Sequence, residues 1–309
     1  MNTQANAMNG APLESQRVAP SVLAATQPFY WSVRRELWEN RAIYLAPLAA
    51  AGVFLVGFLI SSVHLAGRMR AARELDAMHQ HGKIAQPYDY AAGMVMLASL
   101  LVALYYCLEA MQSERRDRSI LFWKSLPVSD LTTVLAKATV PLVIVPLLAW
   151  AITTLTQFVM LLVNSAALAG SGVSVAALWT QLSPLQMSLL LLYHLITVHV
   201  LWQAPIYGWL LMVSAWARRA AFLWATVPLL AIGIAEKMAF GTSYFGRMIG
   251  NRFAGGPEAI PMSDSFPTNP AMHLTPGHFL SSAGLWLGLA VTAAFLFAAV
   301  RLRRYRGPL

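Results

Sequence analysis

Six runs of predominantly apolar residues punctuate this chain, at about 43–63, 90–111, 139–163, 187–209, 221–235 and 280–300, with polar or charged segments between them. A bilayer core about 30 Å thick is crossed by roughly 20 apolar residues of helix. The pattern therefore predicts an all-α, polytopic membrane protein with six transmembrane helices. The fifth run is the shortest: Glu236 and Lys237 interrupt it, so it either leans on residues 211–216 or ends inside the membrane.

Outside the spans, two stretches carry helical periodicity. In "PFYWSVRRELWENR", residues 28–41, Tyr30, Val33 and Leu37 share one helical face, and Trp31 and Trp38 stand seven apart. Such spacing predicts an amphipathic interfacial helix whose Arg34, Arg35 and Glu36 face headgroups or a partner protein. Residues 64–89, with spaced charges, read as a helical extension of the first span into the outer aqueous phase. Ahead of these, 1–27 is a mixture of Asn, Gln, Ser, Pro and Ala, expected to be a disordered leader to a single domain, 28–309.

Composition agrees with the pattern: 58% of the 309 residues are hydrophobic, 11% are charged, and the mean hydropathy is +0.56. The net charge of +9 fits basic loops facing anionic headgroups on such a chain, and no nucleic-acid partner is expected. With both termini on the cytoplasmic side, fifteen of the 22 Lys and Arg residues fall inside and seven outside, the sense that the positive-inside rule requires. A single cysteine, Cys107, excludes an intrachain disulfide and a cysteine-based metal cluster. His64, His79 and His81 lack the spacing and company of metal ligands, so no metal site is expected.

Between the second and third spans lies "ERRDRSILFWKSLPVSD", residues 114–130. Its opening charges are too polar to insert, and residues 120–126 can make two turns of helix with Ile120 and Trp123, or Phe122 and Leu126, at neighbouring positions. Pro127 stops that helix, Ser129 is placed to cap the next one, and Asp130 lies in its first turn, where the helix dipole favours an anion. Pattern alone leaves two readings open: a helix lying on the headgroups, anchored by Trp123 and Lys124, or a tip that docks a partner.

The longer segment "YYCLEAMQSERRDRSILFWKSLPVSDLTTVLAKA", residues 105–138, resembles the signature region of permease subunits of type-2 ATP-binding-cassette transporters. That resemblance implies that residues 120–127 form a coupling helix seated on a separate nucleotide-binding subunit. Phe122 and Trp123 would be apolar anchors there, with Ile120 and Leu126 beside them; Arg118 and Lys124 would be rim contacts, and Pro127 and Ser129 the rigid corner. It implies further that the 28–41 helix, with Trp31, Arg34, Arg35 and Trp38, is the family's elbow helix. Two permeases, most simply a homodimer, would work with two ATPases in a prokaryotic inner membrane as an exporter.

No G-x-x-x-x-G-K-[ST] loop is present, so this chain is not expected to be an enzyme. It needs no cofactor of its own, and ATP and Mg belong on the partner. The competing reading is a membrane scaffold or sensor whose loop binds a protein other than an ATPase; an intramembrane enzyme lacks a nucleophile and base. His194, His199 and Gln203 on the fourth span are possible pathway residues, against the plainer reading that they hydrogen-bond between helices. Glu109 is expected to pair with Arg34, Arg35 or Arg116. Gly284 and Gly288 form a small-residue pair suited to a helix contact. The resemblance also implies a re-entrant outer helix over 238–249, although Gly241 and Gly246 weaken helix there.

Overall fold

The computed structural model describes residues 22–62, 77–116, 128–169, 174–255 and 276–305. All six apolar runs lie on helices, no strand occurs among the described residues, and six helices are long and apolar enough to cross a bilayer. The chain is an all-α membrane protein.

Helix α1 (Val22–Glu39) begins ahead of Pro28 and packs on α5 (Asp130–Thr139). The first span is α2 (Ala42–Ser62), and the second is α3 (Ala77–Glu109), 33 residues and thus roughly 50 Å long. Residues 77–89, read from the sequence as an extension of the first span, are the start of the second. Two turn residues separate α3 from the short α4 (Gln112–Arg116).

Ser129 caps α5 as its position predicts: its hydroxyl accepts from the Thr132 amide at 3.0 Å. From Asp130 the third span runs without a break for 39 residues to the end of α6 (Val145–Leu168), far longer than a bilayer needs. One π-helical turn, Val140–Ile144, interrupts its α-helical bonding, and the Val145 amide reaches back five residues to the Val140 carbonyl. Pro141 and Pro146 account for this register change, since neither can donate a backbone hydrogen bond and each ring clashes with the preceding turn.

The fourth span is a broken descent. It comprises α7 (Val175–Leu182), α8 (Pro184–His194), a π-helical stretch Leu195–Trp202, and α9 (Ala204–Trp216), with a left-handed Ser183 between α7 and α8. It extends beyond the 187–209 expected from hydropathy. Against α9 lies the last span, α13 (Ala283–Tyr305), preceded by α12 (Pro276–Ser281). The close approach falls at Gly208, where a Cβ would meet Thr292 Cγ2 at 3.3 Å. Gly288 does not make this contact; the space above it is filled by the Arg252 guanidinium instead.

The fifth span, α10 (Ala221–Phe240), is not interrupted at Glu236. There the carboxylate accepts hydrogen bonds from the Thr242 hydroxyl (2.7 Å) and from the Tyr244 and Phe245 amides (2.7 and 2.9 Å). Those amides are unpaired donors at the N-terminus of α11 (Tyr244–Ala254), so Glu236 caps the next helix. Gly241, at φ +68°, turns the chain between the two. The helix expected over 238–249 is thus displaced to α11, which folds back until Arg252 bonds the Gly284 carbonyl at 2.5 Å at the start of α13.

Candidate functional site at the base of the 117–127 loop

Of the loop residues singled out from the sequence, Arg118, Ile120, Phe122, Trp123, Lys124, Leu126 and Pro127 lie outside the described residues, and Ser129 is described. What the structure does present is the base on which that loop stands. Four helices, α1, α4, α5 and α13, converge there and bury a set of charges at the end of the bundle where α9 also terminates.

Glu114 is the centre. Only 6% exposed, its carboxylate receives Arg35 Nη2 at 2.7 Å, Lys137 Nζ at 3.0 Å and Arg303 Nη1 at 2.6 Å. Glu36, 2% exposed, accepts from the same Lys137 Nζ at 2.8 Å, from Arg35 Nη2 at 2.8 Å and from the Tyr106 hydroxyl at 2.8 Å. Arg303 turns its Nε to Asp130 Oδ1 at 3.1 Å. One guanidinium therefore holds Glu114, which precedes the loop, and Asp130, which follows it.

Beside this network Arg115 donates to the carbonyls of Ser214 and Ala217 at the end of α9. The Ser214 hydroxyl accepts from the amides of Met111 and Gln112 at 3.0 and 3.1 Å, so the turn between α3 and α4 is bolted to the fourth span. Glu109 pairs with Arg116 at 3.8 Å, one of the partners its position allows.

The buried charges satisfy one another, since two acidic groups out of water are tolerable only with cations and donors around them. Arg35, on α1, shows the balance: burial alone would lower its pKa, yet the carboxylates of Glu36, Glu114 and Glu39 raise it above the usual value. Breaking a buried pair by removing one member typically costs about 3–5 kcal/mol, while swapping the whole set for packed apolar groups is often neutral.

On α1 the predicted amphipathic pattern holds for one face only. Trp31 and Trp38 are exposed, and the Arg34 guanidinium lies 5.0 and 4.7 Å from their ring centres, forming a cation-aromatic stripe. Tyr30 is exposed, whereas Leu37 packs on the core. Arg35 and Glu36, expected to face headgroups or a partner, point inward to the network. The misreading has a simple cause: buried charges look like surface charges in a sequence until their partners are known.

Of the fourth-span polar residues, Gln203 reaches another helix, whereas His194 and His199 meet each other within the span. His194 and His199 rings meet edge to face at 5.9 Å. Gln203 is 1% exposed; its Nε2 donates to the Phe253 carbonyl at 2.9 Å and its Oε1 accepts from the Tyr207 hydroxyl at 3.0 Å. With both ends of its amide occupied, Gln203 ties α11 to the break in the fourth span, the packing reading weighed above. Arg252 adds to this tie, lying 4.0 Å from the Trp202 ring centre.

Sequence reasoning missed the Glu36, Glu114, Lys137 and Arg303 set as a unit. A usable signal existed for Lys137: it lies two turns into a helix that is otherwise entering the membrane, where an unpaired ammonium is costly.

Comparison of the chain with models of protein families, with curated proteins and with solved structures returns no match.

Proposed function

We propose that this chain is the membrane-spanning permease subunit of an ATP-driven transporter of the ATP-binding-cassette type, an exporter, with the 114–130 loop as its coupling element. The observation that carries the reading is the shared clamp at the loop's base. Arg303 binds both Glu114 and Asp130, and Glu114 is bonded in turn to α1 and α5. A push on the loop by a partner cannot be absorbed locally; it is delivered to the ends of the second, third and sixth spans together. That is the mechanical requirement for coupling a two-state membrane domain to a remote ATPase.

In this reading both termini and the charge network lie on the cytoplasmic side. ATP and Mg bind a separate nucleotide-binding subunit, two permeases pair across the bilayer, and the Trp31, Arg34 and Trp38 stripe lies at the headgroups. The membrane is a prokaryotic inner membrane. Support comes from the resemblance of residues 105–138 to the permease signature, from the six spans, and from the clamp.

The experiment is co-purification of the tagged chain from its native host in mild detergent, with the Phe122→Ala/Trp123→Ala double variant alongside. A nucleotide-binding subunit in equal amount, lost from the variant, is the expected result. An unrelated partner held equally by both forms would move the loop to a scaffold or sensor role; recovery of the chain alone would remove the coupling assignment.

A further inference from the structure

A cavity of about 370 Å³ lies between α6 and α8. Two aromatic side chains form fixed parts of its wall. Trp150 is held by its Nε1, which donates to the Ser188 carbonyl and hydroxyl at 3.1 and 3.0 Å, and Phe158 packs edge to face on Trp179 of α7 with ring centres 6.1 Å apart. Of the described residues that line the space none is charged, and all but Thr154 and Gln157 are apolar or aromatic. A pre-formed apolar space with a few placed polar groups is the usual form of a small-molecule site.

The cavity lies within the bilayer. Along the third span Trp150 stands roughly 20 Å and Gln157 roughly 30 Å from Lys137 of the buried charge network, at the rise of an α-helix. Leu155, also in the wall, is exposed on the outside of the bundle, which at this depth means exposure to lipid. Whatever occupies the cavity reaches it from the hydrocarbon.

The two polar wall residues have bonding capacity left over. Gln157, 4% exposed, donates through Nε2 to the Tyr88 carbonyl at 3.2 Å, while no described group donates to its Oε1. Thr154 Oγ1 lies 3.2 Å from the Ser188 hydroxyl. Two hydroxyls carry two protons and the bond between them uses one, so this pair keeps a donor in excess. Three residues apart, Thr154 and Gln157 are neighbours on one helix face, and they offer a donor and an acceptor side by side where water is scarce.

We infer that this cavity binds an uncharged lipophilic alcohol: a ring-bearing apolar body against Trp150 and Phe158, and one hydroxyl that donates to Gln157 Oε1 and accepts from Thr154. A hydroxyl fills both roles with a single atom. An ionised carboxylate fills only the accepting role and an ammonium only the donating one, and either brings a charge to a wall that holds no counter-ion. The inference goes beyond the permease reading and does not depend on it.

The test uses two uncharged probes of one shape, 2-naphthol and 2-methylnaphthalene, which differ by a hydroxyl in place of a methyl group. Each is dialysed to equilibrium against the full chain in phosphatidylcholine nanodiscs, with empty discs subtracted and affinities referred to the probe's concentration in the lipid. The expected result is saturable naphthol binding, one per chain and about tenfold or more tighter than methylnaphthalene, whose methyl group leaves the wall groups unpaired. Thr154→Val and Gln157→Met should each bring naphthol down to the level of methylnaphthalene and leave methylnaphthalene binding unchanged, which also shows that the variant has folded. The near-isosteric Thr154→Val keeps the test decisive if Gln157→Met does not fold. Ala151→Phe, which places a ring in the cavity, should abolish binding of both probes with helicity by circular dichroism retained. Equal affinity of the two probes for the unsubstituted chain, discrimination undiminished in Thr154→Val, no saturable naphthol binding, or binding that survives Ala151→Phe would overturn the site. Each of those outcomes leaves co-purification of a nucleotide-binding subunit unaffected, so the permease reading fails or stands separately.

Discussion

Arg303 and Glu114 lie 189 positions apart in the chain and meet in a buried ion pair at 2.6 Å, the contact that joins the last span to the base of the loop. Because Arg303 also holds Asp130, and Lys137 also holds Glu36, the loss of any one member removes an ion pair from at least one other. This arrangement makes the loop's footing stiff and its energetics testable.

Replacing Glu114 by Ala leaves three cations, Arg35, Lys137 and Arg303, without their common acceptor, and is expected to destabilise the chain by about 3–5 kcal/mol. Asp130→Ala, at the more exposed edge with Arg303 as its cation, is expected to cost about 1 kcal/mol or less. The measurement is the unfolding midpoint of each purified variant in one detergent. Equal midpoints for the two would contradict the central place given to Glu114.

Glu36 and Lys137 touch directly at 2.8 Å with both side chains almost fully buried. A double-mutant cycle of Glu36→Gln and Lys137→Met should give a coupling energy of about 0.5–3 kcal/mol, and the double variant should be less damaged than the two single effects summed. Additive losses would show that the two charges act through different partners.

At Gly288 a Cβ would stand 2.9 Å from Arg252 Nη1. Gly288→Val is expected to push the guanidinium off the Gly284 carbonyl and the Trp202 ring, and so to free the C-terminal end of α11. Hydrogen exchange of the 251–254 amides should quicken in this variant as it does in Arg252→Ala, and combining the two should add little. Gly233→Ala, where the nearest atom is 3.9 Å away, serves as the control with little change.

Glu236→Ala removes the acceptor for the Tyr244 and Phe245 amides, the cap at the start of α11. Those two amides should lose exchange protection while the centre of α10 keeps its own. Loss of protection throughout α10 would mean that the carboxylate holds up the fifth span rather than the helix after it.

Much of this architecture was legible beforehand because it is local. The number of spans follows from run lengths, and the Ser129 cap follows from a hydroxyl three residues before a free amide. The π-helical turn at Val140–Ile144 had its cause in view, two prolines five apart, though not its form. Span ends were less legible: the second, third and fourth helices outrun their apolar stretches, since a helix continues wherever its polar residues find partners.

By itself the sequence determined that this protein is a bundle of six membrane-spanning helices with a charged loop between the second and third, because apolar run length and cap chemistry act within a few residues. Only the tertiary structure decided what the charges do. Arg35, Lys137 and Arg303 became partners of Glu114, Glu236 became a cap, and one oxygen of Asp89 was buried without a donor. Electrostatic pairing depends on which atoms lie within a few ångströms, and residues 36, 114, 137 and 303 acquire that proximity only when the helices pack.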